Sequence, residues 1–447
     1  MIIGGGPAGY VAAERAGRQG LSVILFEKNK MGGVCLNEGC IPTKTLLYSA
    51  KMYENALHGD KYGIYGENFR YDFAKISSRK DRVVRRLVAG IESKMKTCLV
   101  NVVKGEALIL GQTSHGFEVT CNGESFLGSR LLVCTGSEAL VPPIPGLAEA
   151  GDRVLTNREI LDLNERPDSL VVIGGGVIGM EFASFYNSLG TKVTVLEMQS
   201  EILGGMDPEV SAMLRGIYIK KGVDIHLLSK VVRVENNKIF FEKDGETCYA
   251  EGEKILLSVG RRAVTEGFGL ESLNVAMSRG GILVDEKMRT SVPGVFAAGD
   301  VTGFSLLAHT AIREAEVVVN NLTGHEDRMH YRAIPGVVYT NPEVAGVGLT
   351  EETARSAGVA CKVVKLPMAY SGRFVAENEG GNGMCKVLVS IEEEEVVGVH
   401  MIGNPCSEMI YGACLAIEQK MTVSQLQKIV FPHPTVSEIF KETVFEA

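Results

Sequence analysis

Nowhere among the 447 residues is there an uninterrupted apolar run of the ~18 residues that a membrane-spanning helix requires. The best candidate, LVVIGGGVIGMEFASFY at 170–186, is rich in glycine and broken by Glu181, so no membrane association is expected. An excess of positive charge is also missing. The chain has 46 basic against 54 acidic residues, a formal charge of -8 and a pI near 5.7, which argues against a nucleic-acid partner or an anionic lipid surface. MIIGGGPAGY lacks the basic start and apolar core of a secretion signal, leaving the cytoplasm as the expected compartment. Only three residues precede Gly4, short for a first strand and expected of a chain trimmed there. Cysteine is not dense enough for a disulfide scaffold: residues 98, 121, 134, 248, 361, 385, 406 and 414 are scattered singly and read as reduced thiols. What remains, with 45% apolar residues over this length, is a globular protein of two to four domains.

Glycine, by contrast, is placed with a purpose. The opening IIGGGPAGYVAAERAGRQGLSVILFEK leads an apolar strand into Gly4, Gly6 and Gly9, a helix with small residues at Ala12, Ala13 and Ala16, and a second strand closing on Glu27. This is the βαβ dinucleotide pattern: one glycine for the turn, one to let a pyrophosphate approach, one for close packing, and a carboxylate for a ribose. A single match is weak, but SLVVIGGGVIGMEFASFYNSLGTKVTVLE repeats it with Gly174, Gly176, Gly179 and Glu197. Two dinucleotide-binding domains are therefore expected. Glu197 would repel a 2′-phosphate and no arginine follows directly in VLEMQSEIL, so the second copy should take NAD in preference to NADP. A third segment, TSVPGVFAAGD at 290–300, would alone be a strand and turn; beside two nucleotide folds it resembles the flavoprotein signature whose aspartate, here Asp300, binds the ribitol of FAD.

These features, with GGVCLNEGCIPTK at 32–44, VCTGS at 133–137, VGRR at 259–262, LLAHTA at 306–311, PGVVYTNPEVAGVGLTEE at 335–352 and FPHPTVSE at 431–438, resemble the pyridine nucleotide-disulfide oxidoreductase family in its own order. The resemblance runs from residue 2 to about 445. It implies an α/β fold of two Rossmann-like domains, for FAD (1–137) and NAD (138–261), a central domain completing the FAD site (262–331), and an α+β interface domain (332–447) forming a homodimer. Only the boundary near VPPIPG at 141–146 reads as a linker without that help. The resemblance also places Gly33, Lys44, Ala107, Thr135, Gly136, Ser137, Leu306, Leu307, Ala308 and His309 at the FAD site, and Glu181, Val231 and Gly260 at the NAD site. Two positions depart from the common pattern: Val34, where threonine is usual, and Glu38, where a small apolar residue is frequent.

Cys35 and Cys40 raise a choice between metal, inert thiols and redox chemistry. No second cysteine pair or histidine cluster completes a zinc site, and His58 stands alone. A disulfide accepts two electrons through thiolate attack and a mixed disulfide. By resemblance Cys35 is the sulfur that meets the substrate thiol, Cys40 lies against the flavin, and Lys44 places a charge near the flavin with Glu181 as its ion-pair partner. Since a thiol of pKa about 8.5 is mostly protonated at neutral pH, attack needs a base: His433, oriented by Glu438 and supplied across the dimer interface, is the residue implied.

The function expected is oxidation of protein-bound dihydrolipoamide with reduction of NAD, in a 2-oxo acid dehydrogenase or glycine cleavage complex whose lipoyl-bearing domains and acyltransferase core would be the partners. The alternatives are a glutathione-reductase-like enzyme, which would use NADP, and a scaffold holding FAD only structurally. Relatives with extra C-terminal cysteines are disfavoured because the last cysteine is Cys414. RKDRVVRRLVAGIESKMK at 79–96 reads as an amphipathic helix with Val83, Leu87, Ile91 and Met95 inward, and Glu392 to Glu395 as a charged turn.

Overall fold

The computed structural model describes residues 1–447. Strands Ile2–Ile3, Ile24–Glu27, Asn101–Lys104, Leu131–Val133 and Val295–Ala297 build one parallel sheet in the order 295, 131, 2, 24, 101. A second parallel sheet has the order 224, 192, 169, 254, 154, from Asp224–His226, Lys192–Leu196, Ser169–Ile173, Lys254–Leu257 and Val154–Leu155. Parallel strands need crossovers, here chiefly helices, and the sheets are covered by them: α1 (Pro7–Arg18), α2 (Gly33–Glu38), α3 (Cys40–Leu57) and α4 (Phe73–Thr97) in the first unit, α5 (Val177–Ser188) and α6 (Pro208–Lys220) in the second. Strands Ser137–Ala139 and Arg261–Ala263 pair antiparallel, so the chain leaves and re-enters the first unit side by side.

Residues 262–331 add no sheet of their own. The strand 295–297 becomes an edge of the first sheet, and α7 (Ala308–Leu322) lies against α1, with Ala12, Ala13 and Ala16 facing Ala311, Ala315 and Val318 in one buried cluster. The alanines allow that close approach. The C-terminal unit is an antiparallel five-stranded sheet in the order 336, 344, 396, 384, 361, packed against helices Cys406–Glu418 and Glu438–Phe445. A single buried cation ties it to the second unit: Lys386, 1% exposed, reaches Asp207 at 2.8 Å, Glu209 at 2.8 Å and Glu351 at 3.0 Å. Three carboxylates around one ammonium repay its desolvation.

The helix expected around residues 79–96 lies within α4, but its inward face is shifted. Met95 is buried and Val88 and Ile91 pack on the core, while Leu87 is 42% exposed. Val83/Leu87 and Val84/Val88 form two overlapping apolar tracks at helical spacing, and periodicity does not choose between them. Glu392 to Glu395 form the turn joining strands Met384–Ser390 and Val396–Ile402. No helix is long and apolar enough to cross a membrane.

Candidate active site

The two glycine turns have the same construction. Gly4 and Gly174 have φ of +104° and +100°, and a Cβ there would lie 2.2 Å from the Cys134 carbonyl oxygen and 2.6 Å from that of Ser258. At the third glycines, Gly9 and Gly179, a Cβ would meet the carbonyl oxygens of Gly4 at 1.8 Å and Gly174 at 2.1 Å. The second glycines differ from these. Gly6 has no neighbour nearer than 3.8 Å and Gly176 none within 4 Å, and neither helix start has a side-chain cap. The first and third glycines are thus required by the protein's own backbone, whereas the second leaves open space in front of unpaired helix N–H groups, as a pyrophosphate needs.

Both carboxylates stand at the matching corner. Gly5 N–H donates to Glu27 Oε2 at 2.7 Å and Asn29 N–H to Oε1 at 2.6 Å; Gly175 and Gln199 N–H do the same to Glu197 at 2.6 and 2.7 Å. Ala107 and Val231 occupy equivalent places. Each follows by two residues an N–H, of Gly105 or Ser229, that donates to the main-chain oxygen of Glu27 or Glu197, at 3.0 and 2.8 Å. The residues therefore fit one dinucleotide in each unit. Gly33 lies against the first turn, where a Cβ would be 2.6 Å from Gly6 Cα.

Around the expected ribitol position, Ser137 Oγ donates to Asp300 Oδ2, and Arg261, which follows Gly260, donates through Nε to Ser137 Oγ at 2.7 Å. Burial holds the Asp300 carboxyl above its ordinary pKa. Thr135 Oγ1 donates to the Val264 carbonyl at 2.6 Å, across Gly136. Leu306 and Leu307 lead into α7, which begins at Ala308; His309 Nε2 lies 3.0 Å from the Pro335 carbonyl, and burial lowers its pKa.

The cysteines sit where α2 breaks into α3. Gly39, at φ -146° and ψ -109°, separates the helices, and a Cβ on it would be 3.1 Å from the Val34 carbonyl. Cys40 is the first residue of α3, so the helix terminus favours negative charge on its sulfur. The closeness of the two thiols raises the Cys35 pKa and lowers that of Cys40 to about 7; Lys44 adds to the lowering. One turn further along α3, Lys44 Nζ contacts both oxygens of Glu181 at 2.9 and 2.7 Å. Glu181, on α5, is 2% exposed and also accepts from Tyr339 N–H at 3.0 Å. Burial opposes the charged amine, but the Glu181 carboxylate outweighs it and holds the Lys44 pKa above the usual value.

His433 and Glu438 lie elsewhere, on the C-terminal unit. His433 Nδ1 is 2.8 Å from Glu438 Oε1, and Thr435 N–H donates to Oε2 at 2.9 Å. Hydrogen bonding to His433 lowers the Glu438 pKa. The imidazole is 79% exposed.

Three residues of this region receive no individual role from the sequence, although Arg261 and Tyr339 lie within the VGRR and PGVVYTNPEV segments. Tyr339 places its ring 4.7 Å from Lys44 Nζ, Arg261 holds Ser137, and Glu314, fully buried on α7, accepts from Gly299 N–H at 2.6 Å and Tyr331 O–H at 2.7 Å. Burial pushes the Glu314 pKa up to about 7. A glutamate inside the apolar stripe of α7 is the signal that would have found it.

Residues 1–315 match the pyridine nucleotide-disulphide oxidoreductase family and residues 334–444 its dimerisation domain, and the chain belongs to this family. It is a flavin-dependent disulfide oxidoreductase with FAD and NAD as cofactors. Among its curated relatives are the dihydrolipoyl dehydrogenase of Geobacillus stearothermophilus, 38% identical over 99% of this chain and 94% of the relative, and dihydrolipoyl dehydrogenase 3 of Pseudomonas aeruginosa, 37% identical over 100% and 97%. Similar solved structures include LpdA from Mycobacterium tuberculosis, with a TM-score of 0.90 and 26% identity over 100% of this chain and 98% of that one. The flavoprotein disulfide reductase RclA from Escherichia coli aligns at 0.87 and 28% over 99% and 98%.

Proposed function

We propose that the protein oxidises dihydrolipoamide on lipoyl-bearing domains and reduces NAD, working as a cytoplasmic homodimer bound to the acyltransferase core of a 2-oxo acid dehydrogenase or glycine cleavage complex. The observation that carries this reading is the placement of the thiol pair: Cys35 and Cys40 flank the break between α2 and α3, Cys40 opens α3, and Lys44 lies one turn further along, paired with Glu181, a setting that favours a thiolate at Cys40. One sulfur is thereby a good leaving thiolate and the other is left to meet the substrate.

His433 of the partner subunit, oriented by its own Glu438, takes the proton from one substrate thiol. That thiolate attacks Cys35 Sγ of the closed disulfide, the Cys35–Cys40 bond breaks, and Cys40 leaves as thiolate. The second substrate thiol attacks the substrate sulfur bonded to Cys35, closing the lipoamide ring and releasing Cys35 as a thiol. FAD, when bound, supplies the two-electron chemistry that carries the pair onward to NAD. Gly4, Gly6, Gly9, Glu27, Asp300 and Ser137 would hold FAD; Gly174, Gly176, Gly179 and Glu197 would hold NAD. The Lys44–Glu181 pair joins α3 of the first unit to α5 of the second.

An anaerobic assay of NAD and NADP, each with dihydrolipoamide and with glutathione, tests this reading. Turnover is expected with dihydrolipoamide and NAD. A preference for glutathione and NADPH would overturn it, and an FAD-bound protein unreduced by either NADH or dihydrolipoamide would be a scaffold instead.

A further inference from the structure

Four residues separate the two cysteines, and three of them have an anchor. Leu36 is buried, and Asn37 Nδ2 donates back to the carbonyls of Met31 and Gly33 at 3.0 and 2.9 Å. Glu38 alone reaches outside the first unit. Its carboxylate pairs with Arg158 Nε, 120 residues further on in the loop after strand Val154–Leu155, and its main-chain oxygen accepts from Asn157 Nδ2 at 2.7 Å. Asn157, itself 7% exposed, takes Arg261 Nη1 on its Oδ1 at 3.3 Å, and Arg261 continues the chain to Ser137 and Asp300. The last residue of α2 is therefore held from the second unit just before the break at Gly39.

We propose that the Glu38–Arg158 pair is a positioning device that sets the spacing of the Cys35 and Cys40 thiols and so how readily their disulfide is reduced. The reasoning rests on the redox role of the two cysteines given above. Opening a disulfide lets two sulfurs part, and any restraint that keeps them close raises the effective concentration of each thiol at the other. Closure is then favoured, and more reductant is needed to hold the pair open. Glu38 touches neither sulfur; it acts through the turn at Gly39, whose φ and ψ lie outside the regular regions and which Asn37 anchors on one side only.

The test is the thiol–disulfide equilibrium of the FAD-bound dimer in buffers of graded reduced and oxidised dithiothreitol, quenched in acid, alkylated and read by mass. At about pH 6, below the Cys40 pKa, thiolate charge contributes little, so the ratio reports geometry. Glu38→Gln and Arg158→Gln, both at partly exposed positions, are each expected to shift the midpoint about three- to fivefold toward the dithiol, or ~15–20 mV at 29.6 mV per decade. The reciprocal variant Glu38→Arg with Arg158→Glu is expected to restore it. An unchanged midpoint in either single variant, with FAD retained, overturns the proposal, as does failure of the reciprocal variant to recover. If the wild-type pair shows no disulfide in any buffer, the redox reading of Cys35 and Cys40 falls as well, and the two failures are told apart.

Discussion

Cys40 is depressed to about 7 from 9, so in the reduced enzyme its thiolate is present above pH about 7 and is lost as pH falls through that value. The ultraviolet absorbance of the thiolate, followed against pH, is expected to rise around 7. In Lys44→Met it should rise at higher pH, because a neighbouring cation has gone. Cys40→Ser is expected to abolish lipoamide-dependent NAD reduction, since no thiolate can leave from that position; retained turnover would refute the relay. The Cys40 environment was only half legible in the sequence. The CxxxxC spacing and Lys44 marked the site, but the helix break that brings the two thiols together and sets Cys40 at the start of α3 appears only in the folded chain.

At the scale of elements, α7 has a feature that should be measurable. Glu314 has a folded pKa of about 7 against 4.5. A raised carboxyl binds more protons folded than unfolded, so stability falls as pH rises from 4.5 to 7 and stays lower above it, by about 3 kcal/mol at 1.36 kcal/mol per unit. Glu314→Gln keeps an acceptor for Gly299 N–H and is expected to flatten the thermal midpoint between those pH values, whereas Glu314→Ala should lower it throughout by leaving that N–H unpaired. Elements differ in how well sequence foretells them. The βαβ turns were legible because glycine is forced there by carbonyl oxygens about 2 Å away. The face of α4 was not, because two apolar tracks overlap and Leu87 fell on the wrong one. The Glu38–Arg158 contact joins residues 120 apart, and local pattern holds no signal for it.

For the whole molecule, the proposed role of His433 as a base supplied by the partner subunit makes catalysis depend on the dimer. Cys40→Ser and His433→Gln homodimers should each be inactive, while a random mixture of the two subunits should recover about a quarter of wild-type activity, because half the dimers are mixed and each holds one intact site. Recovery no greater than the sum of the parents would place the base in the same subunit. Breaking the inter-unit pair by Glu181→Ala should cost about 3 kcal/mol, read as a lowered thermal midpoint, since it leaves Lys44 without its carboxylate.

The central claim is that electrons from dihydrolipoamide pass through Cys35 and Cys40 to NAD. It is tested most directly by adding one equivalent of dihydrolipoamide anaerobically, trapping free thiols by alkylation before and after NAD, and locating the label by mass. Label is expected on Cys35 and Cys40 before NAD and is expected to be lost afterwards. Label confined to other cysteines, or unaffected by NAD, would contradict it.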